Sequence, residues 1–232
     1  QSVGELYQTT LSMGMSMMTS SHVKCSVDEM IDNDVEKIFV VPVSSTAHNT
    51  LVRQWNYIFN LEEQFAYSEV DRIANERIVM LEPINDDIYA KKIILEYTNE
   101  ISSDPANEVL IIIAHGPIDQ ADNEIELRLM NNIGEYIKKH SSIQTVESFT
   151  LQDDAPKTIR DQNLKRIKAF MNASKKDGKR ILMVSNLMSG KGIQKKIEED
   201  FEGIDYTFNP KGLLTHPYYI DWIKESVANH TE

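Results

Sequence analysis

Two rhythms of apolar residues alternate along this chain. Short runs rich in β-branched side chains occupy residues 37–43, 77–81, 108–114, 143–149, 180–184 and, more weakly, 205–208, and each predicts a strand. Between them, residues 50–59, 87–101, 123–139, 155–174, 192–201 and 217–228 carry apolar positions at helical spacing. Several strand runs are apolar at consecutive positions, as expected where helices cover both faces of a sheet. The alternation predicts an α/β protein with parallel strands.

The chain also resembles itself. "VEKIFVVPVSSTAHNTLVRQWNYIF" followed by "ERIVMLEPINDDIYAKKIILEYTNEIS" parallels "GKRILMVSNLMSGKGIQKKIEEDF" followed by "IDYTFNPKGLLTHPYYIDWIKESVA". Each reads strand, small-residue turn, helix, short strand, Pro-containing loop, helix. Upstream, "LSMGMSMMTSSHVKCSVDEMIDND" and "VESFTLQDDAPKTIRDQNLKRIKAFMNASKKDG" make a further comparable pair. A duplication accounts for this, with modules at 1–105 and 106–232. The second has one unit more, the strand ending at His115 and its helix, so the first is expected to lack its leading βα unit. The alternative is the general self-similarity of doubly wound folds.

Composition narrows the class. The 232 residues suit one large domain or two small ones, and 41% hydrophobic with 26% charged residues belongs to a folded chain. No apolar run approaches the roughly 18–20 residues of a membrane span, so a soluble protein is expected, cytoplasmic unless a longer precursor is exported. Gln1 either follows a processing site or marks a truncation. A single cysteine, Cys25, excludes an intrachain disulfide and a cysteine zinc cage. A net charge of −12 argues against general nucleic-acid binding, so an anionic ligand needs a local basic patch.

Candidate chemistry gathers at the ends of strands, where open parallel sheets bind ligands. "EVLIIIAHGPIDQADNE" runs from a buried strand into His115, Gly116 and Pro117. Imidazole suits Fe, Co, Ni or Zn and also accepts a proton near neutrality. Gly116 permits close backbone approach and Pro117 presets its φ, which leaves the ring uncrowded. His48 in "VPVSSTAHN" is placed similarly; the alternative for both histidines is a simple strand-end hydrogen bond. Asp119, Asp122 and Glu124 are either carboxylates behind a metal site or the acidic first turn that a helix dipole favours. In "TLQDDAP", Asp154 reads as an N-cap and Asp153 as the acid for the crevice. "MSGKGIQKK" offers Ser189, Gly190, Lys191 and Gly192 as a ligand turn for a carboxylate or phosphate, or else an ordinary strand-to-helix turn. His216 before Pro217 reads as a helix start, Tyr218, Tyr219 and Trp222 as packing, and Met13, Met15, Met17 and Met18 as apolar packing. No G-x-S-x-G stretch supports hydrolysis.

In order, the strand plus "AHG", "TLQDDAPKTI", "RILMVSNLMSGKGIQKKI" and "GLLTHPYYIDWI" resemble the sirohydrochlorin cobaltochelatase and ferrochelatase family, the CbiX-type class II chelatases. The likeness is clearest over 108–229, and a second, incomplete copy covers 11–105 with "KIFVVPVSSTAHN". It implies two chelatase-like modules, each a four-stranded parallel sheet flanked by helices, facing one another across a tetrapyrrole cleft. The implied substrates are a divalent metal, Co²⁺ or Fe²⁺ with Ni²⁺ also possible, and sirohydrochlorin or a related tetrapyrrole, with no organic cofactor. His115 matches the family's histidine after its first strand and His48 the one after its third. The matching place in the second module falls near Gly192, which cannot bind metal. A composite site is then implied, with His115 and His48 as metal ligands and Glu124 or Asp153 assisting proton removal. The alternative is a non-catalytic metal- or tetrapyrrole-binding protein. Oligomeric state stays open, a dimer included.

Overall fold

The strand β3 (Glu108–Ala114) is buried at every residue, because Val109 through Ala114 present no polar side chain to either face. The computed structural model describes residues 2–12 and 14–231. Expectations resting on Gln1 and Met13 lie outside the described residues. In chain order come α1 (Ser21–Asp32), β1 (Ile38–Val40), α2 (Thr50–Ile58), β2 (Ile78–Met80), α3 (Ile88–Asn99), β3, α4 (Gln120–His140), β4 (Thr145–Thr150), α5 (Lys157–Lys176), β5 (Arg180–Ser185), α6 (Ile193–Asp200), β6 (Thr207–Asn209) and α7 (Pro217–Ala228). All strand pairings among the described residues are parallel, as the apolar runs predict. No helix among these residues is long and apolar enough to cross a membrane.

The chain forms two compact units, residues 1–83 with 220–232, and residues 84–219. The boundary expected near 105 therefore falls inside the second unit. Its reason is packing: α3 lies against α4 and β5.

In the first unit β1 and β2 pair from Ile38↔Ile78 to Val40↔Met80. This sheet has two strands, not the four implied for each module. β1 is also shorter than its apolar run, since Pro42 has no N–H to continue a ladder. Val27, Met30, Ile38, Tyr57, Ile58, Phe59 and Ile73 make its core. Met15 and Met18 are 58% and 71% exposed, so these two do not supply the packing expected of them. Their segment forms no regular helix or strand that would turn them inward.

The second unit carries a four-stranded sheet in the order β4-β3-β5-β6. On one face Val109, Ile111, Ile113, Ile181 and Met183 pack with Ile167 and Met171 of α5 and Ile197 of α6. Gly134 of α4 allows close approach on the other face, where an added Cβ would stand 3.1 Å from Val146 Cγ1. The helix ends follow elementary rules. Asp119 accepts from the N–H groups of Ala121 and Asp122, and Lys138, Lys139 and His140 stand at the negative end of α4. Because β3 has β4 on one side and β5 on the other, its carboxyl end lies where the strand order reverses, the usual place for a ligand.

Candidate metal centre at the carboxyl edge of the second sheet

His115 is the first residue after β3, and its ring is partly exposed, at 40%. Nδ1 lies 3.0 Å from the Gly116 carbonyl oxygen. A carbonyl only accepts, so Nδ1 carries a proton, and in the neutral ring the Nε2 lone pair points outward. That lone pair faces Asp154 Oδ2 at 3.4 Å. In the neutral ring two acceptors face one another there, and a cation between them, a proton or a metal ion, would satisfy both.

Asp153 completes the group: one donor atom each from His115, Asp153 and Asp154 lie within 4.8 Å of one another. The two acids have different surroundings. Asp153 accepts from Arg160 Nε at 2.6 Å and Lys196 Nζ at 2.8 Å, while Arg160 also holds Asp200 at 2.5 Å. Burial alone would raise the Asp153 pKa, but Lys196 and Arg160 outweigh it and hold the carboxyl below its usual range. Asp154 is 68% exposed and turned to His115. It does not cap α5, whose N-cap is Pro156.

Such a donor set has a recognisable spacing. Ligands about 2.1 Å from one ion stand about 3.4 Å apart in tetrahedral geometry and about 3.0 Å in octahedral geometry. The His115–Asp154 separation of 3.4 Å meets this without rearrangement. Imidazole nitrogen with carboxylate oxygen suits borderline divalent metals such as iron, cobalt or zinc.

The other expected residues take separate places. Glu124 is exposed on α4, 3.4 Å from Gln120 Nε2, and is not one of the three clustered donors. Asp122 is buried in the first turn of α4. His48 belongs to the first unit, half-buried in the β1–α2 loop, with its backbone N–H on Thr46 Oγ1. His216 is engaged at both ring nitrogens, by Glu96 at 2.8 Å and by the Tyr218 N–H, so it starts α7 as expected. Tyr219 and Trp222 are buried.

Ser189, Gly190 and Lys191 line a hollow of about 380 Å³ with Pro210, Lys211, Leu214 and Thr215. Gly192 precedes α6 at φ +103 and stands outside this lining. The two lysines differ: Lys211 is paired with Glu100, whereas Lys191 makes no ion pair among the described residues.

The close approach expected at Gly116 takes a specific form, and two buried side chains, Gln152 and Glu126, were not apparent from their own sequence context. Gly116 has φ +80, and a Cβ there would meet Thr150 Cβ at 2.6 Å and Asn123 Oδ1 at 3.0 Å. Gln152 donates to the Pro117 carbonyl at 2.9 Å. Glu126 is only 4% exposed, and burial pushes its carboxyl up to about 7. Its helical spacing to Met130, Ile133 and Ile137 was a usable signal of that burial.

Fold and site together define an α/β protein with parallel sheets flanked by helices and a cluster of candidate metal ligands at a carboxyl edge. No family model and no curated protein matches the sequence. Among solved structures, the chain is similar to SirB from Bacillus subtilis with Fe³⁺, at TM-score 0.64 and 16% identity over 90% of this chain and 79% of that one.

Proposed function

We propose that this protein is a tetrapyrrole metal chelatase, inserting Fe²⁺ into sirohydrochlorin or a related macrocycle. The observation that carries the reading is the outward Nε2 of His115, 3.4 Å from Asp154 Oδ2. Iron is placed first because the similar SirB structure holds Fe³⁺. Cobalt rests on the sequence resemblance alone.

In this reading the metal is a substrate. His115 and Asp154 receive the hydrated ion and replace part of its water, while the ion-paired Asp153 holds the position of the β4–α5 loop that carries Asp154. Insertion releases two pyrrole protons, one for His115 Nε2 as the metal leaves it and one for Asp154 or solvent. Lys191 and the apolar wall of Pro210 and Leu214 suit a macrocycle edge bearing a carboxylate.

The test is anaerobic mixing of protein, sirohydrochlorin and Fe²⁺, followed by absorption. Metal-dependent conversion above the spontaneous rate, lost in His115→Ala, is expected. Binding without acceleration would instead favour a carrier, a reading supported by the single imidazole in the cluster and by Gly192 in the β5–α6 loop. Absence of both metal and macrocycle binding would overturn both readings.

A further inference from the structure

Resting on the metal-binding reading of His115 and Asp154, we infer that Gln152 is a positioning residue that sets the separation of these two ligands. Gln152 is 1% exposed and stands two residues before Asp154. Its Nε2 donates to the carbonyl oxygens of Pro117 at 2.9 Å and Ile118 at 3.4 Å, both in the loop that begins with His115. Its Oε1 accepts from Asn163 Nδ2 of α5 at 3.1 Å, and the same Nδ2 also reaches the Leu151 carbonyl at 3.3 Å. One amide thus joins the loop of the imidazole, the loop of the carboxylate and the helix behind them.

The local backbone is shaped around this contact. Gln152 holds φ +48, a left-handed conformation unfavourable to a residue with a Cβ. Such strain persists only where surrounding bonds over-determine it, and it concentrates at functional sites. Gly116 provides the matching gap, since a Cβ there would stand 3.2 Å from Gln152 Cγ. The Pro117 carbonyl, in a buried residue, receives its donor from Gln152. His-Gly-Pro is in this light a docking surface for the neighbouring loop as well as a carrier for the ring.

Glutamine is suited to the task because one end must donate to two carbonyls while the other accepts from Asn163. Glutamate would set a carboxylate against the Pro117 and Ile118 oxygens. Methionine would keep the length and lose every bond. Groups that orient metal ligands from behind typically control affinity by about 10–100-fold.

Co²⁺ serves as the probe, titrated into the full chain by its visible absorption, well below each variant's unfolding temperature. Wild type and His115→Ala establish whether the centre binds metal. Gln152→Met is expected to bind about 10–100-fold more weakly, with a shifted band. Asn163→Ala, which leaves the bonds to Pro117 and Ile118 in place, is expected to weaken binding less and provides a second reading if Gln152→Met does not fold. Glu108→Gln, at the far end of β3, controls for lost stability and is expected to retain wild-type affinity. Unchanged affinity in both Gln152→Met and Asn163→Ala, whatever their stability, would leave Gln152 a plain fold lock and overturn the inference. A wild type that does not bind Co²⁺ fails earlier and separately: it removes the metal centre, and the positioning role with it.

Discussion

Asp154 Oδ2 faces His115 Nε2 at 3.4 Å, while the adjacent Asp153 is held by Arg160 and Lys196. Adjacent carboxylates therefore have unequal surroundings, one turned to the imidazole and one fixed in an ion-pair network. Replacing His115 by Ala should abolish measurable Fe²⁺ or Co²⁺ binding, and Asp154→Asn should weaken it by about 10–100-fold, both read by metal titration. Affinity should also fall on acidification, because the metal competes with protons for the same lone pairs. Equal affinity in wild type and His115→Ala would place the metal elsewhere.

Gly116→Ala should destabilise the protein by about 1–3 kcal/mol or more, measured by urea unfolding. Two penalties combine there: φ +80, and contacts of 2.6 Å to Thr150 Cβ and 3.0 Å to Asn123 Oδ1. Metal affinity should fall in the protein that remains folded, because the displaced turn carries His115.

Glu126 makes stability depend on pH in an identifiable direction. Its folded pKa is about 7, whereas an unfolded glutamate titrates at about 4.3. The native state therefore retains a proton that the unfolded state releases. The stability associated with the neutral carboxyl is complete below about pH 4.3 and is lost as pH rises through about 7. Glu126→Gln should match wild type near pH 4 and exceed it by about 3–4 kcal/mol at pH 8 in denaturant titrations. A constant difference across that range would contradict the assignment.

Glu108 behaves in the opposite sense. Burial pushes its carboxyl up, but hydrogen bonds from Ser102, from the Ser103 and Asp104 N–H groups and from Arg180 together hold it below the usual range. Its contribution is present above the unfolded pKa of about 4.3 and disappears as pH falls through the lower folded value. Glu108→Gln should cost about 1–3 kcal/mol at pH 7 and flatten the acid limb of the stability profile. Circular dichroism during acid titration reads this directly.

Much of this organisation is legible in the chain itself. Consecutive apolar residues from Val109 to Ala114 require two covered faces, and the turn that follows them places His115 at an edge where ligands bind. Helical spacing locates α3, α4, α5 and α7 to within a few residues, since each must bury one stripe. The two acids after β4 were visible as candidates, but not their division: Asp154 turns to His115 instead of capping α5, while Asp153 stays in the cluster and is held by ion pairs. What separates Asp153 from Asp154 is a pair of cations on α5 and α6, and Lys196 lies 43 positions along the chain.

Sequence alone determined the alternation of strand and helix, the buried central strand and the imidazole at its end, because each follows from local pattern and covalent order. Tertiary structure alone decided which carboxylate faces His115, why residue 116 must lack a Cβ and what Gln152 holds together. Those outcomes depend on side chains that meet across loops 34 and 35 residues apart, and a distance closed by folding leaves no mark in local periodicity.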